Sequence, residues 1–114
     1  HWFEMKHAVN EKKQQERILD LQYQESMEMM TLELNQKYFQ LKESMKKLSL
    51  TKKSLEQAKE NLRVSEDNFR EGMITTTELL EAQSLWQKAY SDYIDAKTSN
   101  KVIETEFEKA KGQL

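Results

Sequence analysis

Few side chains in this sequence could carry out chemistry, and their spacing is unfavourable for it. The two histidines, His1 and His7, are six residues apart, and the chain has no cysteine. A protein zinc site needs three or four ligands brought together, and the HExxH spacing of helical zinc enzymes is absent. We therefore predict that the chain binds no metal and uses no cofactor.

Carboxylate pairs at helical spacing are the other candidates for acid–base chemistry. Glu56 and Glu60 are four residues apart, as are Glu104 and Glu108. Catalytic carboxylates need a pocket that shifts their pKa values, and neither a glycine-rich loop nor a nucleophile beside a base accompanies these pairs. Glutamates at this spacing are typical of a solvated helix face, where they pair with lysines one turn away. The sequence therefore predicts no catalytic residue and a protein that is not an enzyme.

A lysine-rich stretch between Lys42 and Lys59 raises the alternative of nucleic-acid binding. Its lysines are spread around a helix, and Glu43 and Glu56 dilute their charge. The formal net charge of the whole chain is −2, which gives no general field to attract a polyanion. We expect a solvated helix surface here and no nucleic-acid partner.

The amino-acid composition indicates which kind of secondary structure carries these residues. The 114-residue chain has no proline and two glycines, and 33% of its residues are charged. Ala, Glu, Lys, Leu and Arg together make up 53 residues, close to the half that is typical of long helices and coiled coils. No apolar run approaches 18 residues, so we expect that this segment itself does not span a membrane. Because the chain begins at His1 without a signal peptide, we expect it to be a fragment of a larger protein.

One break divides the helical pattern. Gly72 suits the left-handed position just after a helix ends. Thr75 and Glu78 have the spacing of a capping box, and Ile74 and Leu79 have that of a hydrophobic staple. The sequence therefore predicts an all-α fold, a single antiparallel, coiled-coil-like hairpin with a tight tip near Gly72. Its parts are a long helix over residues 1–71, a tip turn over 72–75 and a returning helix over 76–114.

Heptad spacing predicts the seam between the two arms. Large residues recur every seven positions, and small residues predominate between them, so the backbones can approach closely. We expect Phe69 to lie beside Leu79 and Leu34 beside Leu114, with Asn100 fixing the register and the first 33 residues unpaired within the chain. The predicted seam residues are Leu34, Leu41, Leu48, Leu55, Leu62, Leu79, Ala82, Trp86, Ala89, Tyr93, Ala96 and Phe107.

The tip and its surroundings resemble a known family. The stretch FREGMITTTELLEAQ over residues 69–83 is similar to the hairpin tip of TolC-type outer-membrane efflux proteins. LEQAKENLR over 55–63 and AKGQL over 110–114 resemble the family's approach to the tip and the end of its returning helix. The opening residues HWFE, followed by Lys6 and His7, resemble the place where the chain leaves a barrel strand and enters the long helix.

The resemblance implies a transport role in the Gram-negative cell envelope. Members of the family are homotrimers with an outer-membrane barrel and a periplasmic helical tunnel, and each protomer has two hairpins. This sequence resembles the second of them. The tunnel docks onto a periplasmic adaptor (membrane fusion) protein, which links it to an inner-membrane pump in tripartite efflux or type I secretion. The positions that the resemblance assigns to the adaptor-facing tip are Phe69, Gly72, Met73, Ile74, Thr75 and Thr76.

Two alternatives to this interpretation stay open from the residues. Some family members have a basic residue just after the glycine, whereas Met73 and Ile74 are apolar here. These two side chains could dock a partner, or they could simply cover the end of the hairpin. The whole chain could also be a generic antiparallel coiled-coil scaffold with no transport role. A hairpin of a periplasmic adaptor is a related possibility, but adaptor hairpins lack the G-x-x-T-x-x-E-L-L-E-A-Q arrangement that this sequence has over residues 72–83.

Overall fold

Two long helices account for nearly all of the described chain. The computed structural model describes residues 2–113, with α1 over Trp2–Arg70 and α2 over Thr76–Gly112. The helices pack against each other as a hairpin that measures 105 × 18 × 14 Å. No strand occurs between residues 2 and 113. The prediction of an all-α antiparallel hairpin is therefore confirmed.

The seam between the helices consists of alternating large and small side chains. Its most buried residues are small: Ala82 and Ala96 are 4% and 3% exposed, and Ser44 is 8% exposed. Small residues at the contact let the two backbones approach while larger side chains fill the space beside them. Leu114, which was expected opposite Leu34, lies outside the described residues. The other predicted seam residues are half-buried along this contact: Leu34, Leu41, Leu48, Leu55, Leu62, Leu79, Trp86, Ala89, Tyr93 and Phe107.

A polar contact lies within this seam, far from the tip. Asn100 Nδ2 donates to Ser44 Oγ at 2.9 Å, and the Ser44 hydroxyl donates to the Leu41 carbonyl oxygen at 2.8 Å. The Ser44 hydroxyl thus both accepts and donates a hydrogen bond, and the half-buried amide nitrogen of Asn100 has an acceptor. A buried or half-buried amide without a partner would cost free energy, so this pair favours one alignment of the helices.

The expected pairing of the arms is wrong by about one helical turn in the half of the paired region that is farther from the tip. Extending the expected pairs along the arms would place Asn100 beside Leu48, but it binds Ser44, four residues earlier. Two further contacts are displaced in the same direction, by about five and three residues: Lys37 Nζ binds Glu106 Oε2 at 3.2 Å, and the rings of Tyr38 and Phe107 lie 6.0 Å apart. The observed alignment satisfies Asn100, whereas the expected one would set its amide against a leucine.

The first part of α1 extends beyond α2. Every residue from 2 to 33 is exposed, whereas Leu34 is half-buried. At 1.5 Å per residue, this overhang is about 48 Å long. It carries large apolar side chains that meet no other element of the described chain, and these include Trp2, Leu19, Met27 and Met30.

Candidate docking site at the hairpin tip

The end of α1 is closed by a Schellman turn. The Met73 N–H donates to the Asn68 carbonyl at 2.8 Å, and the Gly72 N–H donates to the Phe69 carbonyl at 3.0 Å. These two bonds satisfy carbonyl groups that the helix end would otherwise leave without donors. Gly72 has φ of +71°, a left-handed conformation that penalises a Cβ atom. The glycine is therefore required by the backbone of the turn.

The start of α2 is held by a reciprocal capping box. The Glu78 N–H donates to Thr75 Oγ1, and the Thr75 N–H donates to Glu78 Oε2, both at 3.1 Å. The Leu79 N–H donates to the Thr75 carbonyl at 3.1 Å and begins the helical ladder. Together with the Schellman turn, the capping box reverses the chain within residues 71–75.

Met73 and Ile74 differ in exposure, although they are adjacent apolar residues in the turn. Ile74 and Leu79 are half-buried, as their positions on either side of the cap favour for a hydrophobic staple. Met73 is 68% exposed. In a Schellman turn, the residue after the glycine often packs on an apolar side chain in the last turn of the helix. Here the corresponding residues in the last turn of α1 are Asp67 and Asn68, which are polar.

Phe69, Gly72, Thr75 and Thr76, the other tip positions, are all exposed. Phe69 is 39% exposed and lies in the last turn of α1. Of the six tip positions, Ile74 alone is half-buried. The structure thus brings the predicted tip residues together at one end of the molecule, with Met73 as the most accessible large apolar side chain among them.

A ladder of charged side chains on α1 leads up to the tip. Arg63 donates to Glu60 at 2.7 and 3.0 Å and to Asp67 at 3.1 Å, and Arg70 also pairs with Asp67. The pKa of Glu60 is lowered by its hydrogen bonds with Arg63 and, to a smaller extent, by the positive charge of that arginine. The same hydrogen bonds and the negative charge of Glu60 raise the pKa of Arg63. We did not predict this ladder, although the three- and four-residue spacing of these charges is a signal that could have revealed it.

The described residues provide no enclosed reaction site. Between residues 2 and 113, no three His, Asp or Glu side chains are grouped as a metal site would need. His1, one of the two histidines weighed as a ligand, lies outside that range. The cavities on the hairpin are open surface grooves, two of which lie beside the seam and are lined in part by Trp86 and by Ser99. Neither helix, as far as it is described, has a stretch that is long and apolar enough to cross a bilayer.

One comparison with known proteins gives a match. The model of a family described as outer membrane efflux protein matches residues 1–113, which is nearly the whole chain. No curated protein and no solved structure gives a significant match.

Proposed function

This chain belongs to the outer membrane efflux protein family, and we propose that it forms part of the periplasmic helical tunnel of a TolC-type channel, with its tip docking a periplasmic adaptor. The family consists of transport channels of the Gram-negative outer membrane and is not enzymatic. Membership therefore makes the chain a segment of an outer-membrane efflux protein. The periplasmic position, the homotrimer, the adaptor and the inner-membrane pump are part of the proposal.

The exposure of Met73 is the observation that carries the docking proposal. The turn is already complete without this side chain, because the Schellman bonds, Gly72 and the capping box close it. Ile74 is half-buried at the staple position, so covering the hairpin end does not require Met73. An exposed methionine on a hydrogen-bonded turn is an adaptable apolar contact, a property that suits a protein-binding surface.

The shape of the hairpin supports its assignment to a tunnel. It is 105 Å long and at most 18 Å across, and it retains exposed apolar side chains on both helices. A hairpin of this kind can pack side by side with others around a water-filled duct. In this proposal transport is passive along the tunnel, and docking or rearrangement at the tips opens its periplasmic end.

The test is photo-crosslinking from position 73 in cells that make the full-length protein. We expect the probe at Met73 to capture a periplasmic adaptor. The same probe at Ser91, an exposed residue of α2 far from the tip, should not capture it. If folded and abundant protein yielded only cytoplasmic partners or none from position 73, the docking proposal would be wrong and the generic scaffold hairpin would take its place.

A charged residue at position 73 tests the proposed adaptor contact quantitatively. Met73→Asp should weaken adaptor binding by about tenfold or more, since burying a methionine contributes about 1.5–3 kcal/mol. Ser91→Asp is the matched control and should leave adaptor affinity unchanged. Equal adaptor affinities for both variants and the parent, measured by biolayer interferometry, would contradict a contact at Met73.

A further inference from the structure

The paired part of the hairpin has two flanks of opposite charge. Each flank comprises the two rows of heptad positions nearest the seam on one side of the hairpin, and one further row of each helix points away from the seam. On one side, termed the basic flank, the cations of α1 are Lys42, Lys52, Lys59, Arg63 and Arg70. Those of α2 are Lys97, Lys101 and Lys111. Four glutamates share this side, namely Glu56, Glu66, Glu104 and Glu108, so its net charge is +4.

The opposite side, termed the acidic flank, reverses this balance. Its carboxylates on α2 are Glu78, Glu81, Asp92, Asp95 and Glu106. Glu43 of α1 and Glu71 at the tip add two more, and the cations on this side are Lys47, Lys88 and Lys109. Seven carboxylates and three cations give a net charge of −4.

Side-chain contacts place four of these cations on the basic flank. On the basic flank, Lys42 and Lys111 lie over the rings of Tyr38 and Phe107, at 5.1 and 5.6 Å from the ring centroids. Because these two rings contact each other across the seam, both cations lie on the same side of the hairpin. Nearer the tip, Lys59 and Arg63 line a groove with Trp86 on this side.

Much of the charge on both flanks is not neutralised within the hairpin. Among residues 2–113, Lys42, Lys52, Lys59, Lys97 and Lys101 form no salt bridge. The same holds for Glu71, Glu81 and Asp95 of the acidic flank within that range. These side chains are therefore available to an opposing surface.

Exposed apolar residues follow the same two flanks. The basic flank presents Tyr38, Met45, Leu80, Tyr90 and Ile94. The acidic flank presents Leu50, Val64, Leu85 and Val102. Between residues 34 and 112, the rows that point away from the seam contain one large exposed apolar residue, Phe39. Apolar side chains interleaved with charges are typical of protein interfaces, whereas a purely electrostatic surface would lack them.

We propose that the basic flank is the contact surface for a neighbouring helical hairpin of the channel, and that this neighbour presents an acidic flank of the type seen here. This inference rests on the proposed tunnel function. Lys52 and Lys59 are seven residues apart, and Glu78, Asp92 and Glu106 are fourteen apart, so both sets run along a helix axis. A contact between opposite flanks is heterologous, and repetition of such contacts closes a ring when the rotation between neighbours permits it.

The neighbour can be identified by photo-crosslinking from Ser49, an exposed residue of the basic flank, in the full-length protein. We expect capture of a helical hairpin of the channel whose crosslinked face has more carboxylates than cations. The control probe replaces Lys53, which lies on an outward-facing row of α1, and should not capture that hairpin. Capture of the adaptor, of lipid, of nothing, or of a hairpin with a basic face would overturn the proposal.

Charge reversal on the basic flank tests whether attraction between opposite charges stabilises the proposed contact between hairpins, and a matched control is available. Lys52→Glu with Lys59→Glu alters the basic flank, and Lys46→Glu with Lys53→Glu makes the same charge change on the outward row. In full-length protein shown to be helical by circular dichroism, we expect the flank variant to raise the dissociation constant of the oligomer about tenfold in dilute salt. The increase should fall to about twofold or less in concentrated salt, and the control should show no such change.

Equal effects of the two double variants would contradict the flank contact. The outcome is separable from that of the tip experiment. An adaptor crosslink from Met73 without a hairpin crosslink from Ser49 would reject the flank contact alone, and the opposite pattern would reject tip docking alone.

Discussion

At the scale of single residues, neighbouring positions of the tip have different structural roles. Gly72 provides the left-handed backbone, Thr75 and Glu78 cap α2, and Ile74 is half-buried at the staple position. Met73 supplies one backbone N–H to the turn and leaves its side chain in solvent. A substitution at Met73 can therefore alter the proposed docking surface without altering the turn, while a substitution at Gly72 acts on the turn itself.

Gly72→Ala should destabilise the hairpin by about 1 kcal/mol, because a Cβ atom is disfavoured at positive φ. Apart from Gly72 itself and its two chain neighbours, no residue has an atom within 4 Å of the position that this Cβ would take, so the penalty comes from the backbone and not from a clash. The measurement is the urea unfolding midpoint of the 114-residue chain. Gly112→Ala is the control, and it should leave the midpoint unchanged or slightly raise it, since Gly112 has no positive φ. Identical midpoints for Gly72→Ala and the parent would contradict the strain argument.

At the scale of the elements, the close approach of α1 and α2 depends on small residues. Ala82, Ala96 and Ser44 are the most buried residues between 2 and 113, and the leucines beside them are only half-buried. A two-helix seam has solvent on both sides, so its large side chains keep part of their surface exposed. The separation of the helices is therefore more sensitive to added volume at the alanines than at the leucines.

Ala96→Leu should destabilise the pairing of the helices by about 1–3 kcal/mol, because the added methyl groups have no space at the contact. Ser91→Leu introduces the same side chain at an exposed position of α2 and serves as the control, with an effect within about 0.5 kcal/mol. Thermal melting followed by circular dichroism measures both. An Ala96→Leu melt that superimposes on the parent would show that the seam is not closely packed.

At the scale of the whole molecule, the hairpin is uneven along its length. The half of α1 near the tip packs on α2, and residues 2–33 have no partner within the described chain. Helices draw most of their stability from packing an apolar face, so the overhang is the less stable part of α1. Its exposed apolar residues are those that a further part of the proposed channel would cover.

Backbone amides of the overhang should exchange with solvent at least about 100-fold faster than amides over residues 41–65 of the same helix. Hydrogen exchange read out by mass spectrometry on the isolated chain measures this gradient, and the paired half of α1 is the internal control. In the assembled channel, the overhang should become protected to a similar degree. Uniform protection along α1 in the isolated chain would contradict the proposed difference in stability.

Local signals in the sequence determined the helices and the turn between them. The absence of proline, the heptad rows, Gly72 and the Thr75–Glu78 capping box predict a hairpin with its tip near residue 72, because each acts within a few residues along the chain. The family resemblance depends on the same local motifs, and the match over residues 1–113 confirms it.

Tertiary structure decided the alignment of the arms and the exposure of the tip residues. Heptads allow neighbouring alignments one turn apart, and contacts between distant residues, such as Asn100 with Ser44, select one of them. The difference between Met73 and Ile74 also depends on the path of the turn, which directs Ile74 onto the hairpin and Met73 into solvent. Periodicity describes which face of a helix is apolar, but the axial position of one helix against another is set by pairwise contacts.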